Sequence, residues 1–268
     1  MSDEVQRIAS LADPIDQLRA ATEAMSQAQA TVVELARLRR KIIQDLHEAG
    51  WSYARIGEAA GLSRGRIHQV RHQGPPPEGT LIGSDVVHIA TPLRRTERGK
   101  PPASAPEDVA AGQRLGELAR TLGIEADYEQ IPLDGRVDLD RSGVAIIAAP
   151  HASKDVAKIL RADPVLAVER DAVVDRSTGT RHAPGDGYDI AYLGRLPVPR
   201  GSRKVLVICG IRGTGALGVV AFLSNELARV YGEAGNQPFS TVVRVDFDEA
   251  TGEPTEVREL TPTYIHES

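Results

Sequence analysis

The sequence predicts an α/β protein in two parts: an all-helical N-terminal domain over 1–75 and a three-layer C-terminal domain with a mostly parallel sheet over 80–268. Three observations predict it. Apolar residues recur at helical spacing up to residue 72. The run Gln73-Gly74-Pro75-Pro76-Pro77-Glu78-Gly79 cannot continue a helix and reads as a semi-rigid linker. Beyond residue 80, short β-branched runs alternate with helical ones, the pattern of right-handed crossovers in a sheet covered on both faces.

The elements follow in order. A helix is expected over 15–49: Asp13 can cap it, Pro14 suits its first position, and Ile15, Leu18, Ala21, Met25, Ala28, Val32 and Leu35 form a heptad-like stripe. That stripe either packs on its own domain or pairs with a second subunit, as a homodimer would require. Gly50 stops it. After the linker, strands are expected over 86–90, 144–149 and 205–209, each followed by a helix, over 106–122, 153–162 and 216–231. Further strands fit 165–170, 188–193 and 241–247, and 91–105, with paired prolines and four basic residues, reads as a long mobile loop.

Composition narrows the function. With 41% hydrophobic residues, the chain can build packed cores, yet no run approaches the roughly 18–20 apolar residues of a membrane span. The polar start Met-Ser-Asp-Glu-Val-Gln-Arg is unlike a secretory signal, so a cytoplasmic location without membrane contact is expected. The single cysteine, Cys209, excludes an internal disulfide and a cysteine-based zinc site, and reads as an inert core thiol. No HExxH or Walker pattern supports metal or ATP chemistry. A net charge of -5 would argue against nucleic acid, but over 37–71 eight basic residues face three acidic ones.

The most specific spacing lies within 51–72. Ser52 can cap a first helix, Gly61 supplies a left-handed turn residue, Leu62 fills the corner and Ser63 caps a second helix. Ile56, Ala60, Leu62, Ile67 and Val70 fall where two crossing helices touch, with Gly57 at the closest approach. Ile56-Gly57-Glu58-Ala59-Ala60-Gly61-Leu62-Ser63 resembles the helix-turn-helix of transcription regulators, in the variant shared with the promoter-reading region of sigma factors. It departs from the usual pattern at Gly57, where alanine is commoner. The resemblance implies a recognition helix in the major groove of double-stranded DNA. Spacing then puts Arg64, Arg66, His68, Gln69 and His72 opposite Ile67 and Val70, with Gly65 permitting close approach and Arg71 adding charge. Arginine suits guanine O6 and N7, and glutamine suits adenine. Ser63, Arg55, Arg39, Arg40 and Lys41 are candidate phosphate contacts. Trp51 reads as a packing anchor.

In the C-terminal part, the strand over 205–209 runs through Gly210-Ile211-Arg212-Gly213-Thr214-Gly215-Ala216-Leu217-Gly218 into a helix. Gly213, Gly215 and Gly218 form a GxGxxG in a strand-turn-helix setting, which makes the domain Rossmann-like in pattern. The acidic residue of a dinucleotide fingerprint is missing at its usual place, so the expectation is a nucleotide or phosphorylated small molecule rather than a specific cofactor. Gly210, Arg212, Thr214, His151, Ser153 and Lys154 would line the same carboxyl edge of the sheet. His151, Ser153 and Asp189 could be drawn as a hydrolase triad, but no GxSxG elbow accompanies them. The expected function is a dimeric, sequence-specific DNA-binding transcription regulator, not an enzyme, controlled by a ligand or partner at the α/β domain. The alternative is a nucleotide- or nucleic-acid-processing enzyme that uses the helix-turn-helix for targeting.

Overall fold

A computed structural model describes residues 3–11, 13–63, 67, 70, 76–97, 100–199 and 203–266, apart from the side chains of 3, 4, 23, 25–34 and 37. The chain divides into two compact units, Met1–Gln73 and Gly74–Ser268.

The first unit is helical: α1 (Asp3–Ala9), α2 (Pro14–Glu48) and α3 (Tyr53–Ala59). The Asp13 carboxylate accepts from the Ile15 amide at 2.8 Å and Pro14 takes the first position of α2, as the sequence suggested. Gly50, at φ 88°, takes the left-handed conformation that ends it. At 35 residues α2 is about 50 Å long. Among its described side chains, Ile43 is buried, whereas Ile15, Leu18 and Leu35 are 55%, 65% and 59% exposed within the single chain.

The second unit is mixed α/β. Its strands are β1 (Val86–Arg94), β2 (Ala103–Ser104), β3 (Glu125–Ile131), β4 (Val144–Ile147), β5 (Leu166–Val168), β6 (Val173–Asp175), β7 (Arg181–His182), β8 (Tyr188–Pro197), β9 (Lys204–Gly210), β10 (Phe239–Phe247), β11 (Pro254–Glu259) and β12 (Tyr264–Ile265). Its helices are α4 (Pro106–Thr121), α5 (Lys154–Arg161) and α6 (Gly215–Ala234). The main sheet runs β11-β10-β8-β9-β4-β1, with β3 on the far side of β1. Neighbours from β3 to β9 are parallel, while β8 is antiparallel to both β9 and β10. The sheet is therefore mixed, and the expectation of a mostly parallel one is corrected: β8 runs back between two strands that share a direction. Strand order reverses between β1 and β4, so the crevice of an open α/β sheet lies at their carboxyl ends.

Alternation along the strands feeds two cores. On one face, Leu115 and Ala119 of α4 and Leu223 and Leu227 of α6 share a cluster with Val87, Ile89, Ile208 and Val243. On the other, Val156, Ile159 and Leu160 of α5 and Leu166 and Val173 of the small β5-β6-β7 sheet cover Ile146, Val207 and Tyr192. Each such side chain contributes about 1.5–3 kcal/mol on burial.

Two sequence expectations fail here. Residues 91–94 continue β1, and Leu93 and Arg94 pair with Ser104 and Ala103 of β2, so the segment read as a long mobile loop begins and ends in a hairpin. Pro92 hides this, because it donates no ladder hydrogen bond and so reads as a strand breaker. In the linker, Pro77–Leu81 forms a 3-10 helix with Pro77 at its first position and Glu78 and Gly79 buried, so ordered structure begins before residue 80.

The last strand is tied down by a buried polar cluster. His266 Nε2 lies 3.0 Å from Ser240 Oγ and 3.7 Å from Asp163 Oδ1, and the Tyr192 hydroxyl donates to Asp163 Oδ2 at 2.8 Å. Burial pulls the His266 pKa below its ordinary value, against the opposing pull of Asp163. A lowered folded pKa means that the unfolded chain binds more protons below about pH 6.5, so stability is full above that pH and falls as pH drops through the window beneath it. His266→Gln should flatten the fall in Tm between about pH 6.5 and 5; an unchanged slope would contradict this assignment.

Candidate functional site

The hairpin after Trp51 is set by local caps and turns. The Ser52 hydroxyl accepts from the Arg55 amide at 3.3 Å and starts α3. Gly61, at φ 65°, turns the chain, and the Leu62 amide returns to the Gly57 carbonyl at 2.8 Å. Ser63 opens the next helical turn through its carbonyl, which accepts from the Ile67 amide at 3.0 Å. Ile56, Ile67 and Val70 then meet Ile43 of α2 in one cluster, each at most 4% exposed.

Gly57 explains the close crossing. A Cβ there would lie 2.7 Å from the Leu62 carbonyl oxygen and 3.4 Å from Ile67 Cγ1. Backbone cannot give way as a side chain can. The departure from alanine in the resemblance thus has a steric cause in this chain.

The candidate DNA contacts divide into two groups. Arg55 is exposed, its guanidinium 3.7 Å from the centre of the Trp51 ring; Trp51 in turn packs on the hairpin core, as a packing anchor should. Arg39 and Arg40 are half-buried on α2, and Lys41 and Ser63 are exposed. Arg64, Gly65, Arg66, His68, Gln69, Arg71 and His72 lie outside the described residues. The described part therefore comprises the hairpin's core and flank.

At the glycine-rich turn, the carboxylate of Asp189 on β8 fills the place expected for an anion. It is fully buried and accepts from the amides of Arg212 at 3.0 Å, Gly215 at 2.7 Å and Ile190 at 2.7 Å. The amides at the start of α6 thus already hold an anion supplied by the chain. Burial pushes the Asp189 pKa up, against the pull of these amide donors.

The glycines serve packing. A Cβ at Gly215 would strike Asp189 Oδ2, at Gly218 the Val245 side chain on β10 and at Gly210 the Arg212 carbonyl, while at Gly213 it would lie 3.1 Å from the flexible Glu107 side chain. Arg212 donates to the Gly185 carbonyl at 2.8 Å. Ser153 is buried, caps α5 by accepting from the Val156 amide, and donates to the Gly135 carbonyl at 2.7 Å. Lys154 is exposed.

Ser153 and Asp189 are each committed to backbone partners, which removes the triad drawing with His151. Exposed His151 instead lies where its charge acts on buried Asp108, whose carboxylate pairs with Arg94 at 2.6 Å. The carboxyl edge of the sheet is thus lined by Asp189, Asp108 and Glu107. A phosphate at the amides of Arg212 and Gly215 would have to displace the Asp189 carboxylate, which in this structure takes the place of the ligand expected there. Cys209, beneath that edge, is pushed up to about 12 by burial and by Asp189 and Asp108, and stays an inert thiol.

His88, Asp127 and Glu129 bring ligand-type atoms together on β1 and β3, with His88 Nδ1 3.1 Å from Asp127 Oδ2. Arg141 pairs with Glu129 and Asp138, so a cation already sits beside this cluster.

The chain matches no known family model, and no curated protein or solved structure is similar to it.

Sequence reasoning named Asp189 only as a possible triad member and missed its place at the glycine-rich turn, and it missed a second feature of this unit. Asp189 was visible as a lone acid in the buried apolar run Tyr188-Asp189-Ile190-Ala191-Tyr192-Leu193 beside a glycine-rich turn. The second is a group of cations at the opposite edge of the sheet, Arg195, Arg203 and Lys204, spaced closely around the β8–β9 turn.

Proposed function

We propose that this chain is a sequence-specific DNA-binding regulator of the helix-turn-helix type, acting as a homodimer from the cytoplasm and carrying a Rossmann-like α/β unit that senses a small molecule or partner. The supporting observation is the tight hairpin around Gly57. A glycine-sized gap between α3 and the Leu62 corner, closed over four nearly inaccessible aliphatic side chains, is what a crossed pair of helices needs to hold one helix rigidly against a groove. With Ile67 and Val70 committed to that core, the sequence spacing leaves Arg64, Arg66, His68 and Gln69 as the readers of base edges. The exposed stripe of α2, Ile15, Leu18 and Leu35, is the proposed pairing surface for a second subunit, which a two-half-site operator would require.

Alanine at Arg64 and at Gln69 should each weaken binding to a selected duplex by roughly tenfold to a hundredfold and relax sequence preference at one position, measured by fluorescence anisotropy against competitor DNA. Unchanged affinity and preference in both variants would contradict the reading.

A further inference from the structure

We infer that the amino-terminal edge of the α/β sheet carries a binding pocket for a small phosphorylated molecule, built on Arg195, Lys204 and Arg203. This goes beyond the DNA-binding reading and does not depend on it. It also places the ligand at the edge opposite to the glycine-rich turn.

A cavity of about 290 Å³ opens between the end of the 3-10 helix, the turn before β4, the β8–β9 ends and the residue pair after α6 that includes Asn236. That volume lies at the lower limit of small-molecule sites, about 300–1,000 Å³, and suits one compact phosphate ester rather than a dinucleotide. Ser84, Ser142, Leu81 and Leu206 are also among the residues that line it.

The charges are unbalanced. Arg195 lies opposite Leu206 in the β8–β9 ladder, and Lys204 is two residues before Leu206, so both cations project from the same face of the sheet. Arg195 Nη1 donates to the Asn236 carbonyl at 3.2 Å and to its Oδ1 at 2.8 Å, and Lys204 donates to the same carbonyl. Among the described residues, no carboxylate pairs with Arg195 or Lys204. Arg203 donates to the Asp140 carbonyl, and the exposed Asp140 carboxylate, at 3.9 Å, is its one acidic partner among the described residues.

Burial lowers the pKa of both Arg195 and Lys204, and Arg195 lowers that of Lys204 further. A dianion between them would reverse each of these costs. The competing role is capping the carboxyl end of α6, but that end offers only about -0.5 of a charge, against three cations. The excess is local, because the whole chain is negative. Two guanidinium groups and an ammonium match the three oxygens of a phosphoryl group.

The test uses inorganic phosphate with the full chain, at ionic strength matched by sodium chloride. Phosphate stabilises proteins generally by exclusion from their surface, so the reading is the difference between wild type and the variants Arg195→Gln and Lys204→Gln. At about ten times its dissociation constant, phosphate should raise the wild-type Tm of the second unit by roughly 3 °C more than that of either variant. Without phosphate, Lys204→Gln should melt at or above wild type, because a repulsion is removed.

Equal phosphate shifts in all three proteins would overturn the pocket. So would a fall of several degrees for Lys204→Gln in phosphate-free buffer, which would assign the cations to the end of α6. Weaker duplex binding by these variants with an unchanged phosphate shift would assign them to DNA instead, and would also overturn it. Alanine at Arg64 and Gln69 should leave the phosphate shift intact whether or not DNA binding survives.

Discussion

Gly57→Val should unfold the hairpin after Trp51 and abolish the proposed specific DNA binding while the α/β unit keeps its own melting transition. The first unit has 73 residues and little core, so its stability is a few kcal/mol at most. A branched side chain at 57 would begin 2.7 Å from the Leu62 carbonyl oxygen, and relieving that contact separates α3 from the corner. It also breaks the Leu62-to-Gly57 hydrogen bond. Together these changes cost about 3–4 kcal/mol, enough to empty the folded state. Even Gly57→Ala is expected to destabilise: its helix-propensity gain is about 1 kcal/mol, which is less than the cost of a backbone clash at this distance. Trp51, the single tryptophan, packs on this hairpin, so its fluorescence reports the first unit alone. A wild-type Trp51 transition in Gly57→Val would show that the hairpin is looser than described.

Asp189→Ala should lower the Tm of the second unit by roughly 10 °C. The carboxylate accepts from Arg212, Gly215 and Ile190 at a fully buried position, and alanine leaves these amides without a partner beneath the start of α6. Each orphaned donor costs about 1–3 kcal/mol, so a loss of 3–5 kcal/mol is expected, at about 2–4 °C per kcal/mol in a unit of this size. Asp189→Asn keeps one acceptor but turns an amide donor toward amide donors, and should fall between wild type and alanine. If alanine melted like wild type, the carboxylate would not be what holds the glycine-rich turn in place.

The two halves of the chain were legible to different degrees. Helix α2 and its Asp13 cap, helix α6, and strands β4 and β9 followed from periodicity, because each is bounded by a cap or turn and carries an uninterrupted apolar pattern. Strand β3 escaped, since Glu125-Ala126-Asp127-Tyr128-Glu129-Gln130-Ile131 lies beside β1 alone and only Ile131 is fully buried, so local composition resembles a loop. The reversed direction of β8 escaped for a different reason: a run such as Ile190-Ala191-Tyr192-Leu193 is equally apolar whichever way it points, and pairing is decided by distant partners.

At the sites, the hairpin core was readable because Gly57, Gly61 and Ser63 act through local geometry. The glycine-rich turn misled because a glycine that admits a phosphate and a glycine that admits Asp189 or Val245 look alike in sequence. What separates them is a residue 26 positions away, Asp189, bonded to the Gly215 amide.

The central claim is that the hairpin after Trp51 reads duplex DNA. Sequencing of genomic fragments retained by the purified chain, wild type beside a variant with both Arg64→Ala and Gln69→Ala, tests it most directly. The account predicts that wild type enriches one recurring motif, with half-sites one or a whole number of helical turns apart, about 10–10.5 base pairs each, and that the double variant loses it. Retained fragments with no shared motif, or the same motif recovered by both proteins, would contradict it.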